Sequence, residues 1–86
     1  MKSILIALSL LTGVVMDSET NEPITGARVE ILCEEKTTYT GFDGIYNIGE
    51  LNDTTKIKIS FITYQDTIIT YSELKESGGD ITLTSY

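Results

Sequence analysis

Four side chains with carboxylate or amide oxygens fall within one short run, and clustered oxygens are the ligands that calcium prefers. They are Asp17, Glu19, Asn21 and Glu22. The run lacks the central glycine and the final glutamate of an EF-hand loop. Asp, Ser and Asn side chains also hydrogen-bond to nearby backbone, and Pro23 fixes its own φ, so a solvated turn explains the run better. We predict neither a metal site nor a cofactor.

Catalytic chemistry has little support elsewhere in the chain. Asp43 has the type of a general acid, but the sequence places no second carboxylate with it, and Asp43-Gly44 is a strong turn signal. The chain contains no histidine, which excludes His-dependent triads and the usual zinc sites. Since a base, a nucleophile and an orienting group are not found together, we predict that the protein is not an enzyme.

Cys33 is the only cysteine, so no intrachain disulfide can form. It alternates with Ala27, Val29 and Ile31, which places all four on one face of a predicted strand. A small buried apolar side chain fits this position better than a reactive thiol. We therefore expect Cys33 in the core.

The stretch that organises the fold runs from Leu11 to Ile31 and reads as a strand, a polar turn and a second strand. Both predicted strands, on either side of the run that ends at Pro23, have residue patterns compatible with the two-residue period of a β-strand. Gly13 and Gly26 are predicted to be positions of close backbone approach or unusual φ.

The rest of the chain continues as short β-rich runs between polar turns, a pattern typical of a β-sandwich. Lys56 to Phe61 alternates most clearly, with Ile57, Ile59 and Phe61 on one side. Ser72 to Ser77 is predicted to form one helical turn that ends at Gly78-Gly79. The remaining predicted strands are Thr37–Thr40, Ile45–Ile48 with Tyr46 and Ile48 inward, Asp66–Tyr71, and Asp80–Tyr86 with Ile81 and Leu83 inward.

Three motifs in order resemble the carboxypeptidase regulatory-like domain, a transthyretin-like (Ig-like) β-sandwich. The first is G-x-V-x-D, a polar turn ending in Pro, and G-A-x-V; the second is T-x-x-D-G-x-Y-x-I; the third is S-F-I-x-Y. The family usually has Gly where Thr63 stands, which puts the expected backbone bend in question. The matching positions are Gly13, Val15, Asp17, Pro23, Gly26, Ala27, Val29, Thr40, Asp43, Gly44, Tyr46, Ile48, Ser60, Phe61, Ile62 and Tyr64.

The resemblance covers residues 11 to 85 and implies an all-β, seven-stranded sandwich that acts as a non-catalytic accessory module. In the family such domains sit beside peptidase domains or precede the plug of TonB-dependent receptors. The 86 residues of the chain are one domain. Its net charge of −7 argues against nucleic acid and anionic membrane surfaces as partners. The tyrosines could form a carbohydrate or protein surface, although tyrosines on strands are more often core or cross-strand partners. They are Tyr39, Tyr64, Tyr71 and Tyr86.

The first ten residues are an apolar run behind one lysine, which resembles a short signal peptide. The run is too short to span a bilayer. Because no A-x-A-like cleavage site separates it from the first strand, we expect residues 1–10 to be a retained strand or arm that precedes the sandwich of residues 11–86. A cleaved leader is the alternative.

The first predicted strand is apolar on both faces, whereas a two-layer sandwich needs one apolar face per strand. The surplus must be covered, and for a small domain a neighbouring chain is the readiest cover. We therefore predict a protein partner, or self-association, through this strand. The predicted contact residues are Ile4, Leu5, Ile6, Leu8, Leu10, Val14 and Met16.

Two functions agree with these observations. The first is a structural module that docks on a larger protein assembly, such as a bacterial envelope complex or a virion or capsid surface. The second is a secreted or periplasmic domain that binds a glycan or a peptide. Both place the protein on a virion surface or in a bacterial envelope or periplasm rather than in the cytoplasm.

Overall fold

The computed structural model describes residues 11–86 of the chain. In this part the chain forms seven strands and one short helix, with a 3₁₀ turn at Phe42–Gly44. The elements are β1 (Leu11–Asp17), β2 (Arg28–Ile31), β3 (Lys36–Tyr39), β4 (Ile45–Ile48), β5 (Lys56–Ser60), β6 (Thr67–Thr70), α1 (Tyr71–Glu76) and β7 (Ile81–Leu83). Within residues 11–86, no helix is both long and apolar enough to cross a membrane.

Two sheets build the sandwich. The small sheet has the order β4-β1-β7, in which β4 is antiparallel and β7 parallel to the central β1. The large sheet has the order β3-β2-β5-β6 and is antiparallel throughout. The predicted fold class, an all-β sandwich of seven strands, is confirmed.

The core follows from the alternation along the strands. Val29 and Ile31 on β2 and Ile57 and Ile59 on β5 are buried between the sheets, while Arg28, Glu30 and the lysines of β5 point outward. From the small sheet come Val15, Tyr46, Ile48, Ile81 and Leu83. The predicted inward positions of β4, β5 and β7 are confirmed, and Phe61 and Leu51 pack against the rim of the core.

The prediction for Cys33 is wrong, because its side chain is exposed. β2 ends at Ile31, and Leu32 to Glu35 turn the chain into β3. The alternation that would bury Cys33 stops two residues before it. Glu35, at the end of this turn, has a positive φ of 54°.

Other strand limits also differ from the prediction; β7, for example, spans Ile81–Leu83 rather than Asp80–Tyr86. Thr40 leaves the β3 ladder and is buried, where its hydroxyl donates to the Ile24 carbonyl and accepts from the Ala27 N–H. β5 ends at Ser60, one residue before Phe61. Tyr71 opens α1 instead of closing β6, since Thr70 and Glu73 form a capping box at this point.

The sandwich has two distinct ends. At the loop end, β1, β3, β5 and β7 finish and β2, β4 and β6 begin, as their pairing registers show. At the helix end lie the start of β1, the β2–β3 turn, the β4–β5 connection and α1. There the Ser72 N–H donates to the Asp53 carbonyl, and the Lys75 Nζ lies 2.9 Å from an Asp53 carboxylate oxygen.

The helix end is closed by a contact between two glycines. A Cβ placed on Gly13 would lie 1.9 Å from the Gly79 carbonyl oxygen, so only glycine allows β1 to pass this backbone. Gly79 itself has a φ of +92°, and its carbonyl accepts a 2.5 Å hydrogen bond from the buried Tyr46 hydroxyl. The predicted close approach at Gly13 is confirmed, as is the unusual φ at Gly26, which is +84°.

Candidate functional site

The predicted protein-binding residues fall partly within the described chain. Val14 and Met16 lie on the outer face of the small sheet, half-buried, with Val15 between them pointing into the core. The first strand is therefore apolar on both faces over this span. Ile4, Leu5, Ile6, Leu8 and Leu10 lie outside the described residues.

The strand pairings place neighbours around Val14 and Met16. Val14 lies opposite the exposed Ile45 of β4, and Met16 lies opposite Thr82 of β7. Toward the helix end, the Thr12 hydroxyl donates to the Asn47 amide oxygen at 2.5 Å. This outer face is formed by Thr12, Val14, Met16, Ile45, Asn47 and Thr82, none of which is charged.

The outer face of the large sheet has a different character. Arg28 and Glu30 form an ion pair of 3.3 Å on β2, and Lys58 of β5 lies 3.5 Å from Asp66. Solvated, charged faces of this kind are the usual outer side of an antiparallel sheet. The small sheet departs from this rule and the large sheet follows it.

The acidic run after β1 is a tightly bonded turn. One oxygen of the Asp17 carboxylate accepts from the Glu19 and Thr20 N–H groups at 2.7 and 3.0 Å, and the other accepts from the Tyr64 hydroxyl at 2.5 Å. These bonds, that of Tyr64 first, hold the pKa of the Asp17 carboxyl below its ordinary value. Both oxygens of Asp17 are thus committed to the fold. Residues 11–86 contain no cluster of His, Cys, Asp and Glu suited to a metal ion.

Tyr64 connects this turn to the rest of the loop end. It packs against Phe61 with ring centroids 6.1 Å apart, and its backbone pairs with Ser85. The hydrogen bond to Asp17 raises the pKa of the Tyr64 hydroxyl. Thr63, where the family usually has Gly, adopts a φ of +70°, so the bend is present despite the side chain.

The four tyrosines do not form one surface. Tyr71 is buried at the start of α1, Tyr64 is half-buried, and of these four only Tyr39 and Tyr86 are exposed. The structure instead brings Tyr39 and Tyr86 to the same end as Phe42 and Ile62, for which the sequence predicted no surface role. The available clue was a large apolar residue, Phe42, directly before the Asp43-Gly44 turn signal.

The depressions of the surface are shallow. Two of them have volumes of about 400 and 430 Å³ and open broadly to solvent. The first is lined by Leu32, Cys33 and the β4–β5 connection, and the second lies between Arg28 and Ile62 at the loop end. Neither encloses a titratable group in the manner of an active site.

The chain is similar to a known protein family and to a solved structure. The family model of the CarboxypepD_reg-like domain matches residues 11–85. This chain belongs to that family. The resemblance seen in the three motifs is confirmed, and their residues are structural: Gly13 and Gly44 allow close backbone approach, while Asp17 and Tyr64 hydrogen-bond to each other.

One solved structure similar to this chain is the C-terminal domain of the shaft pilin spaA from Lactobacillus rhamnosus GG. The two share 13% sequence identity with a TM-score of 0.49, and the match covers 91% of this chain and 98% of that chain. No curated protein sequence matches the chain.

Proposed function

We propose that this protein is a non-catalytic accessory β-sandwich that docks on a larger protein assembly through the outer face of its small sheet. The observation that most supports this proposal is that this face has no charged residue, although the chain has a net charge of −7. Half-buried Val14 and Met16 and exposed Ile45 provide its apolar surface. Exposed apolar area of this kind marks protein interaction sites.

The direction of β1 extends the same proposal to the N-terminus. Residues 1–10 directly precede β1 in the sequence, and their apolar side chains belong to the same apolar run as Val14 and Met16. Burying ~300 Å² of such surface would contribute about 7.5 kcal/mol gross at ~25 cal/mol/Å², before association costs of similar size. A docking energy of this kind suits one contact among many in an envelope complex or on a virion surface.

A non-catalytic role agrees with the use of the polar groups. Asp17, Tyr64 and Tyr46 are engaged in hydrogen bonds that join elements of the sandwich. Asp43 sits in the turn before β4 with a φ of +68°, where it serves the backbone geometry.

Site-specific photo-crosslinking tests the docking face. A photoreactive amino acid is placed at Val14, at Met16 or, as the control, at Thr37, which is exposed on the outer face of the large sheet. The full chain is then irradiated in its native host cells. We expect one adduct of defined mass from positions 14 and 16 and none from position 37. Equal labelling at all three positions, or none at position 14 or 16, would refute the proposal.

The mass of the mature protein separates this function from the ligand-binding alternative. Retention of Met1 or Lys2 agrees with a docking arm. Loss of the whole leader-like run favours a secreted or periplasmic domain that binds a glycan or peptide. A second experiment deletes Lys2 through Ser9. If the arm takes part in docking, this deletion should abolish assembly while leaving the sandwich folded.

A further inference from the structure

Four large apolar side chains are exposed together at the loop end. Tyr39, Phe42, Ile62 and Tyr86 are 59, 84, 77 and 87% exposed, and they are four of the seven exposed large apolar residues among residues 11–86. We name them the loop-end patch. With 150–250 Å² for each aromatic side chain, the patch offers on the order of several hundred Å² of apolar surface.

Backbone pairing relates three members of the loop-end patch to one another, and the fourth, Phe42, lies three residues after Tyr39 in the chain. Tyr39 lies opposite Arg28 in the β2–β3 register, and Arg28 lies opposite Ser60 of β5. The Tyr86 N–H donates to the Thr63 carbonyl at 3.1 Å, which places the C-terminal residue beside Ile62. A shallow depression of about 430 Å³ lies between these positions and is lined by Gly26, Arg28, Ser60, Phe61 and Ile62.

The loop that carries Ile62 is held in one conformation. Thr63 is kept at a φ of +70°, a strained conformation for a β-branched residue that persists only where the surroundings impose it. The Tyr64 hydroxyl, bonded to Asp17, supplies one such constraint, and pairing with Ser85 supplies another. An apolar side chain mounted on a constrained loop loses little conformational entropy when a partner covers it.

The charges around the loop-end patch favour a partner with basic side chains. Glu19, Glu22 and Asp43 lie in the neighbouring loops, and none of them has an ion pair among residues 11–86. Arg28, the basic residue beside the depression, is paired with Glu30. Aromatic faces beside carboxylates attract Lys and Arg through cation–π and ionic contacts.

We propose that the loop-end patch binds an extended segment of a partner protein that carries apolar and basic side chains in alternation. Its apolar residues cover Phe42 and Ile62, and its Lys or Arg side chains face Glu19, Glu22 and the rings of Tyr39 and Tyr86. Phe42 and Ile62 offer no hydrogen bond to sugar hydroxyls, and the carboxylates favour a cationic partner, so a protein segment fits better than a glycan. The module would then bridge two partners, one at the small sheet and one at the loop end.

Nuclear magnetic resonance of the ¹⁵N-labelled full chain tests this binding. The probes are two short synthetic peptides in which Leu and Phe alternate with Lys in one and with Glu in the other. We expect the Lys peptide to shift the amide signals of Tyr39, Phe42, Ile62 and Tyr86 and the Glu peptide to shift none of them. The affinity should fall several-fold when salt is raised from low to physiological concentration.

Variants at both ends sharpen the test. The double change Phe42→Ser with Ile62→Ser should abolish the shifts, and Glu19→Lys with Glu22→Lys should weaken binding of the Lys peptide several-fold. The matched controls at the helix end are Leu32→Ser and the pair Glu50→Lys with Glu76→Lys, which should leave binding unchanged. Dispersed spectra of each variant establish that it is folded.

Four results would overturn the proposal. They are equal shifts with both peptides, no shifts up to millimolar peptide, equal weakening by the helix-end controls, and patch shifts produced by a neutral oligosaccharide such as maltohexaose but not by the Lys peptide. Sedimentation of the full chain adds a fifth. Self-association that Phe42→Ser with Ile62→Ser removes would show that the patch binds a second copy of the chain.

Discussion

The two ends of the sandwich are closed by different kinds of contact. At the helix end, α1 folds its apolar side chains inward, so that Tyr71 and Leu74 are buried, and Gly79 closes on Gly13. At the loop end, polar bonds such as that between Asp17 and Tyr64 hold the loops, while Phe42 and Ile62 stay exposed.

The difference indicates that the helix end contributes more to stability, and the proposal above assigns contact with a partner to the loop end. Buried apolar side chains and tight backbone approach contribute most to the free energy of unfolding, whereas exposed hydrogen bonds contribute little. Changes at the helix end should therefore unfold the protein, and changes on the exposed parts of the loop end should leave it folded. The following variants test this contrast, from the largest expected effect to the smallest.

Gly13→Ala should have the largest effect, with a loss of at least about 3 kcal/mol of unfolding free energy. The added Cβ would lie 1.9 Å from the Gly79 carbonyl oxygen, and backbone on both sides would have to move. Urea denaturation measures the change. Gly49→Ala is the control, since its Cβ would meet no atom within 4 Å, and it should shift stability little. Similar midpoints for the two variants would contradict the close approach.

Gly44→Val should cost about 3 kcal/mol, because a β-branched residue is forced to a φ of +71° and its Cβ would lie 2.6 Å from the Val15 carbonyl oxygen. Gly44 lies at the loop end but is buried. Thermal melting compares it with Gly41→Val, the same change at a φ of −91°. An unchanged melting temperature for Gly44→Val would refute the turn geometry.

Removing one tyrosine hydroxyl should lower the stability of the protein more at the helix end than at the loop end. Tyr46→Phe leaves the buried Gly79 carbonyl without its donor and should cost about 1–3 kcal/mol. Tyr64→Phe removes a bond to the half-exposed Asp17, so its effect should be smaller. Urea midpoints at neutral pH decide the order. Equal losses would show that the two hydroxyls are equivalent.

Acid should weaken the loop end through Asp17. Its pKa is lower in the folded protein than in the unfolded chain, so it stabilises the fold above the unfolded pKa of about 3.9. That contribution is lost as pH falls from there through the folded pKa. The fall in stability between neutral pH and pH ~3 should therefore be shallower in Asp17→Asn than in the natural protein. Identical pH profiles would contradict the shifted pKa.

Cys33→Ser should have the smallest effect, within about 0.5 kcal/mol, because surface substitutions away from special features change stability little. A thiol reagent should label Cys33 rapidly in the native protein. Labelling that requires unfolding would show that the residue is buried after all.

Strand alternation and turn signals were enough to predict the two-sheet fold and most inward positions. The exposure of Cys33 escaped prediction because β2 stops at Ile31, and a continuing apolar run, Leu32-Cys33, gives no sign of the stop. The loop-end patch escaped it because Tyr39 and Phe42 are far in sequence from Ile62, and Ile62 is far from Tyr86. Only the pairing of strands brings them to one end. The N-terminal contact residues remain a prediction, supported so far by the outward positions of Val14 and Met16.

The position of β1 between β4 and β7 has a consequence for synthesis of the protein. The first strand finds one of its neighbours in the last strand, so the small sheet cannot be completed until the ribosome has released residues 81–83. Contacts between residues far apart in sequence slow folding, and an apolar strand that waits with one edge unpaired is prone to aggregate. We expect nascent chains that end before β7 to depend on chaperones. The risk of aggregation is therefore greatest between the synthesis of β1 and the pairing of β7 with it.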